Sequence, residues 1–173
     1  MKKIYFLILV LLIAQWSCIT DQNKYKETDI FEEYETENGF TILHLPPVLF
    51  KIVLSLSDEP GFESKDLLDK IDVIKLMFFE QNEKSLTITD LKESVNTKIE
   101  KFNYNLLTRF AEENNDISIY VIDKDKIIHE VLITIVSEGE YIALDFVGEL
   151  TKDDVMNVYK SINMQKVQEL DIS

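Results

Sequence analysis

Three runs rich in β-branched and aromatic residues, 117–122, 127–136 and 141–147, follow one another with only "DKDK" and "SEGE" between them. That spacing leaves this chain few folds to choose from. Such residues suit a pleated, half-buried surface. A parallel return would need a dozen or more connecting residues, so short polar connections join antiparallel neighbours. The three runs are therefore predicted to form an antiparallel meander. In the last of them Ile142, Leu144 and Phe146 alternate toward one face. Asp145, between them, is predicted to point the other way, into solvent.

The preceding segment has a different period. From Asp90 onward Leu91, Val95, Ile99, Phe102, Leu106 and Phe110 recur in steps of three and four, which predicts one long amphipathic helix ended by "EENND". Thr89 or Asp90 can cap it, with Glu93 favourable in its first turn. Further upstream, "VIKLMFF" at 73–79 reads as an interior strand, apolar on both faces. Residues 40–45 form an extended apolar lead-in stopped by Pro46 and Pro47. Leu49, Ile52, Val53 and Leu56 then recur at helical spacing, and residues 63–70 add another helical turn or two. After the meander, Thr151 and Asp154 make a capping-box-like pair before Val155, Val158, Tyr159 and Ile162. The expected fold is α+β: a four-stranded, mainly antiparallel sheet (strand, long helix, three-strand meander, helix) with helices covering at least one face. The docking position of the first strand is left open.

The N-terminus concerns location. Met1-Lys2-Lys3 precedes an uninterrupted apolar run at 4–14, which leads through Gln15, Trp16 and Ser17 to Cys18, the single cysteine. The run has the layout of a secretory signal and is shorter than the roughly 18 to 20 apolar residues a spanning helix needs. A bacterial lipobox has the form Leu-Ala/Ser-Gly/Ala/Ser-Cys; Ser17 fits it, whereas Gln15 and Trp16 depart. Cys18 is expected to carry a lipid anchor, with a soluble secreted protein and an uncleaved anchor as the alternatives. The expected layout is a signal peptide at 1–17, a lipidated N-terminus and acidic tether at 18–39, one domain at 40–165 and a tail at 166–173. One cysteine permits no intramolecular disulfide.

The formal charge is −14. Lys2 and Lys3 are the only charged side chains before Cys18, so loss of residues 1–17 gives −14 − 2 = −16. Nucleic-acid binding needs a basic stripe that releases counterions from phosphates, and 18 basic residues among 32 acidic ones do not supply it. The same charge opposes adhesion to anionic lipid surfaces, so membrane attachment has to come from the N-terminus.

Candidate chemistry is sparse. His44 and His129 show no H-x-H or H-x-x-x-H partner and no cysteine at metal-ligand spacing, so both are read as structural and no metal is expected. The carboxylates of "EEYETE" lack the spacing of a calcium loop. Asp153 and Asp154 suit a helix N-terminus, and Gly148 suits a bulge or a strand-to-helix turn. No phosphate-cradling loop, nucleophile elbow or dinucleotide fingerprint occurs, and no cofactor is expected.

The stretch from "FNYNLLTRF" through "ISIYVI" and "HEVLITIV" to Gly148 and "TKDDV" resembles the C-terminal half of the domain-of-unknown-function family 4252. The earlier "LLDKIDVIKLMFF" resembles that family's first strand, so the likeness runs from about residue 39 to residue 162. It implies a lipoprotein of the Bacteroidota cell envelope and carries no activity, substrate or site residue. The function expected is that of a non-enzymatic envelope lipoprotein, anchored to the outer membrane through Cys18, that binds a protein partner or contributes to signalling. The alternatives are a small-ligand-binding or hydrolytic enzyme with a site built from scattered carboxylates and His129, and a structural spacer.

Overall fold

The computed structural model describes residues 25–49, 67, 69–82, 86–112 and 115–161. The signal-like run, Cys18, most of the expected helices at 49–56 and 63–70, and the tail beyond 161 lie outside them. Six strands form one antiparallel sheet: β1 (Phe40–Leu45), β2 (Ile71–Glu80), β3 (Asn105–Glu112), β4 (Asn115–Lys124), β5 (Ile127–Val136) and β6 (Glu140–Leu150). Their spatial order is β1-β2-β6-β5-β4-β3. Two helices are described over their length, α1 (Ile88–Lys101) and α2 (Lys152–Ser161), together with a 3-10 turn at Glu32–Tyr34, and the described residues 47–49 and 67 are helical as well. The expectation of a four-stranded sheet with helices covering a face is therefore corrected to a six-stranded, mostly-sheet fold.

Both added strands have a physical cause. Residues 40–45, read as a lead-in, pair along their length with β2, Phe40 opposite Phe79 and Leu45 opposite Ile74. Their partner lies far along the chain, so no short turn announces the pairing. The end of the expected long helix is β3. A four-residue step keeps one face apolar in a helix and is also two full pleats of a strand, so the step from Leu106 to Phe110 does not tell the two apart. The register shift between Leu106 and Thr108 nevertheless sets them opposite Tyr120 and Ile117, on different faces. Asn103 decides the matter with φ of 59°, a left-handed conformation that ends α1. The Tyr104 amide reaches back to the Ile99 carbonyl at 3.0 Å, closing the helix end before β3 begins. The N-cap is Thr87, whose hydroxyl accepts from the Asp90 amide at 3.2 Å, in place of Thr89 or Asp90.

The meander at β4, β5 and β6 follows the three apolar runs. Asp125 and Lys126 both sit at positive φ in the two-residue turn between β4 and β5, which matches the twist of a tight hairpin. The first strand of the sequence reading, β2, docks against β6, with Ile74 opposite Phe146. The chain must then return to the far edge at β3, four inter-strand spacings or about 19 Å away. The 14 residues of α1 supply about 21 Å of rise.

The sheet is buried on both sides. On one face Ile74, Ile119, Ile133, Leu144 and Phe146 pack with Val155 of α2. On the other, Met77, Phe79, Leu132, Tyr141 and Ala143 meet Leu91, Val95 and Ile99 of α1. Ile30, Phe31 and Tyr34 join this second cluster and are buried. The described part of the segment read as an acidic tether therefore belongs to the fold from Tyr25 onward. Its three buried side chains provide the apolar area that a solvated tether lacks. Tyr34 and Ser94 of α1 share a hydrogen bond of 2.7 Å, and the Lys98 ammonium lies 2.8 Å from Glu33 and over the Tyr34 ring. Thr151 and Asp154 form the expected reciprocal cap of α2.

Candidate functional site

Each of three neighbouring interior strands carries one ionisable residue within an apolar run: Lys75 on β2, Asp145 on β6 and Glu130 on β5. Lys75 stands directly opposite Asp145 in the register, and Glu130 is two residues from Leu132, the β5 partner of Asp145. Strand alternation places all three on the face covered by the N-terminal segment. Asp145 and Glu130 have 0% exposure and Lys75 has 5%. The exposure predicted for Asp145 is thereby corrected. Alternation does turn it away from Ile142, Leu144 and Phe146, but the opposite face is covered as well.

The cover is residues 25–29. Glu130 Oε2 accepts from the Tyr25 hydroxyl at 2.7 Å and from the Thr28 amide at 3.0 Å. Its Oε1 accepts from the Tyr104 hydroxyl and from the Thr28 hydroxyl. Glu27 and Asp29 lie 3.4 and 3.9 Å from the Lys75 ammonium. The segment thus touches β2 at Lys75 and β5 at Glu130, and because β6 runs between those strands it passes over Asp145. Buried ionised groups are tolerated only when paired or hydrogen-bonded, which Glu130 and Lys75 are.

Asp145 is the exception. Among the described residues neither of its oxygens has a hydrogen-bond donor. Burial, and then the charge of Glu130, push its carboxyl well above the usual carboxylate range, with Lys75 pulling the other way and Glu27 adding to the rise. Burial and the neighbouring carboxyls also hold the Tyr25 and Tyr104 hydroxyls in their protonated, donating form.

His129 sits at the irregular position where β5 carries one residue more than β4, beside Glu130. Its ring stacks on Tyr25 at 5.0 Å, with Nδ1 buried and without a partner among the described residues. His44 is on the edge strand β1, exposed and 3.3 Å from Glu35, with β2 and β6 between it and β5. The two histidines are not brought together. Among the described residues no group of three or more His, Cys, Asp and Glu could hold a metal ion, and no helix is long and apolar enough to cross a membrane.

Sequence reasoning offered His129 with scattered carboxylates as an alternative site, read Asp145 as solvent-facing, and missed Lys75, Glu130, Tyr104 and the segment 25–29. The available signal was a lone charge inside each of "VIKLM", "HEVLI" and "ALDFV". Gly148 owes its place to close approach: a Cβ there would stand 2.0 Å from the Lys70 carbonyl oxygen, beside the register shift between Ile71 and Val73.

Neither the curated proteins nor the solved structures contain a match to this chain. A family model described as a domain of unknown function (DUF4252) matches residues 34–158, which takes in all six described strands and all but the end of α2. The chain belongs to that family.

Proposed function

We propose that the protein is a non-enzymatic lipoprotein of the cell envelope, held by a lipid on Cys18 and working by binding another envelope protein. The observation that supports this reading is how near to Cys18 along the chain the sheet is contacted. Tyr25 is already fixed to Glu130, only seven residue steps from Cys18. Fully extended, seven steps reach at most about 24 Å, so a lipid on Cys18 would keep the domain close to the bilayer. Two ionisable groups of the buried cluster, Glu130 and Lys75, are engaged in holding the chain's own N-terminal segment. Binding would then use the outer surface, where Leu106 of the edge strand β3 is 55% exposed. Metabolic labelling with an alkyne fatty acid is expected to mark the wild-type chain and miss Cys18→Ala. Equal labelling of both, or of neither, defeats the lipoprotein reading. Crosslinking and pull-down from native envelopes is expected to recover a specific partner for the wild type and less of it for Cys18→Ala.

One observation favours a second reading, a small-ligand-binding or hydrolytic enzyme: Asp145, Glu130, Lys75 and His129 converge around residues 25–29. That reading requires wild-type turnover of an ester, glycoside or phosphate substrate that Asp145→Asn abolishes at unchanged stability.

A further inference from the structure

The N-terminal segment is fastened to the sheet in two different ways. Ile30, Phe31 and Tyr34 are anchored by burial of apolar surface. Residues 25–29 are anchored almost wholly by charge and hydrogen bonds, through Tyr25 and Thr28 to Glu130 and through Glu27 and Asp29 to Lys75. The groups around Asp145 come from every element packed there: Glu27 and Tyr25 from the segment, Lys75 from β2, Glu130 from β5 and Tyr104 ahead of β3, with Asp29 beside Lys75 and His129 stacked on Tyr25. If Asp145, Glu130 and Glu27 are all ionised, three buried or half-buried negative charges face the single ammonium of Lys75.

We propose that residues 25–29 are a proton-operated clasp, closed while the buried Asp145 holds a proton and opened when that proton is lost. With the proton in place Asp145 is neutral, and Glu130 accepts from Tyr25, Thr28 and Tyr104. Loss of the proton leaves two adjacent buried carboxylates and a third, Glu27, on the segment above them. Lifting the segment relieves this in two ways, by moving Glu27 away and by admitting water to Asp145. The apolar anchor at Ile30 and Phe31 need not move. The sign follows from the direction of the shift. A carboxyl held above its unfolded value of 3.8 adds its stabilising share fully below that pH. The share is then lost as pH rises toward the folded-state value, so the clasp closes on the acid side and opens on the alkaline side. Resting on the lipid reading of Cys18, opening would lengthen the reach from seven residue steps to the twelve that end at Ile30, or from about 24 to about 42 Å.

The test is amide hydrogen exchange of the full chain in detergent, read at the Thr28 amide and corrected for the intrinsic effect of pH. Protection of Thr28 is expected to fall at least tenfold between pH 5 and pH 9, while β5 amides at 131–135 hold theirs. Asp145→Asn should keep Thr28 protected across that range. A flat wild-type profile, or the same slope in Asp145→Asn, overturns the clasp. Should Asp145→Asn fail to fold, Glu27→Gln in the same assay is expected to shrink the slope, and an unchanged slope overturns the proposal equally. Exchange at Thr28 reads the clasp whether or not Cys18 carries a lipid, so the clasp and the anchor can each fail alone.

Discussion

Gly148→Ala tests the join between β2, β6 and α2 with a single methyl group. The new Cβ would stand 2.0 Å from the Lys70 carbonyl oxygen and 3.0 Å from Ile71 Cα, and the first is an approach that real Cβ atoms essentially never show. The oxygen cannot easily yield. It accepts from the Glu149 amide at 3.0 Å, while the Lys70 amide donates to the Leu67 carbonyl at 3.1 Å and the Lys70 ammonium donates to Asp154 at 2.9 Å. Ile71, the next residue, is paired with Gly148 itself. Overpacking of this kind costs roughly 1–3 kcal/mol, and losing the Glu149 bond adds about 0.5–1.5, so about 1.5–4.5 kcal/mol is expected in total. Gly139→Ala is the matched control. Nothing lies within 4 Å of its Cβ position, and φ of +83° alone penalises the methyl, by about 1–2 kcal/mol. Urea denaturation followed by circular dichroism should put the Gly148→Ala midpoint below the wild-type value by about 1 M or more, and below that of Gly139→Ala. A Gly148→Ala chain within about 0.5 kcal/mol of wild type would refute the close-approach account.

Glu130→Ala leaves the Tyr25, Thr28 and Tyr104 donors without their acceptor, and urea titration is expected to register a loss of about 3–5 kcal/mol. Asn103→Val should destabilise the α1 to β3 junction by more than 1 kcal/mol or so, because a β-branched residue resists the left-handed conformation, whereas Asn103→Gly should leave the denaturation midpoint nearly unchanged. Thr151→Ala removes the hydroxyl that accepts from the Asp154 amide and is expected to cost about 1 kcal/mol in the same assay. Burial raises the Asp154 carboxyl, but its bonds from Lys70 and Thr151 outweigh that and hold it below 3.8. Its contribution is therefore present above pH 3.8 and lost as the pH falls through the lower folded-state value, so Lys70→Met should flatten the acid limb of a stability-versus-pH curve.

Local patterning and distant pairing divide what could be read from the chain. The meander strands and the α2 cap were legible because each is decided within a few residues: alternation in "IIHEVLITIV", a two-residue turn at Asp125 and Lys126, and a hydroxyl and carboxylate three positions apart at Thr151 and Asp154. The lead-in at Phe40–Leu45 and the strand at Asn105–Glu112 were not. The former is a strand only because β2 lies beside it, and the latter carries a four-residue step that both periodicities share. The buried cluster was hidden for a related reason. Asp145 reads as solvent-facing until the segment 25–34 is known to lie over it, and that segment, judged by composition alone, is acidic and polar. Its three burying residues, Ile30, Phe31 and Tyr34, are too few to announce a packed element. Lys75 and Glu130 are each a single charge inside an apolar strand, and the register alone reveals that they flank Asp145.

The order of the strands also fixes an order of assembly. The strands from β3 to β6 are joined to their neighbours by closures of a few residues, so hairpins can form as fast as local chain diffusion permits. β2 is different: its inner partner is β6, with α1 and three other strands intervening in the chain. A chain that emerges from its N-terminus presents "IDVIKLMFFE" well before anything exists to pair with its β6 side. Until the last hairpin closes, this strand is a bare, apolar template for pairing with other chains. The step that completes the sheet is thus also the step that ends the chain's exposure to aggregation, and it depends on residues near its C-terminal end.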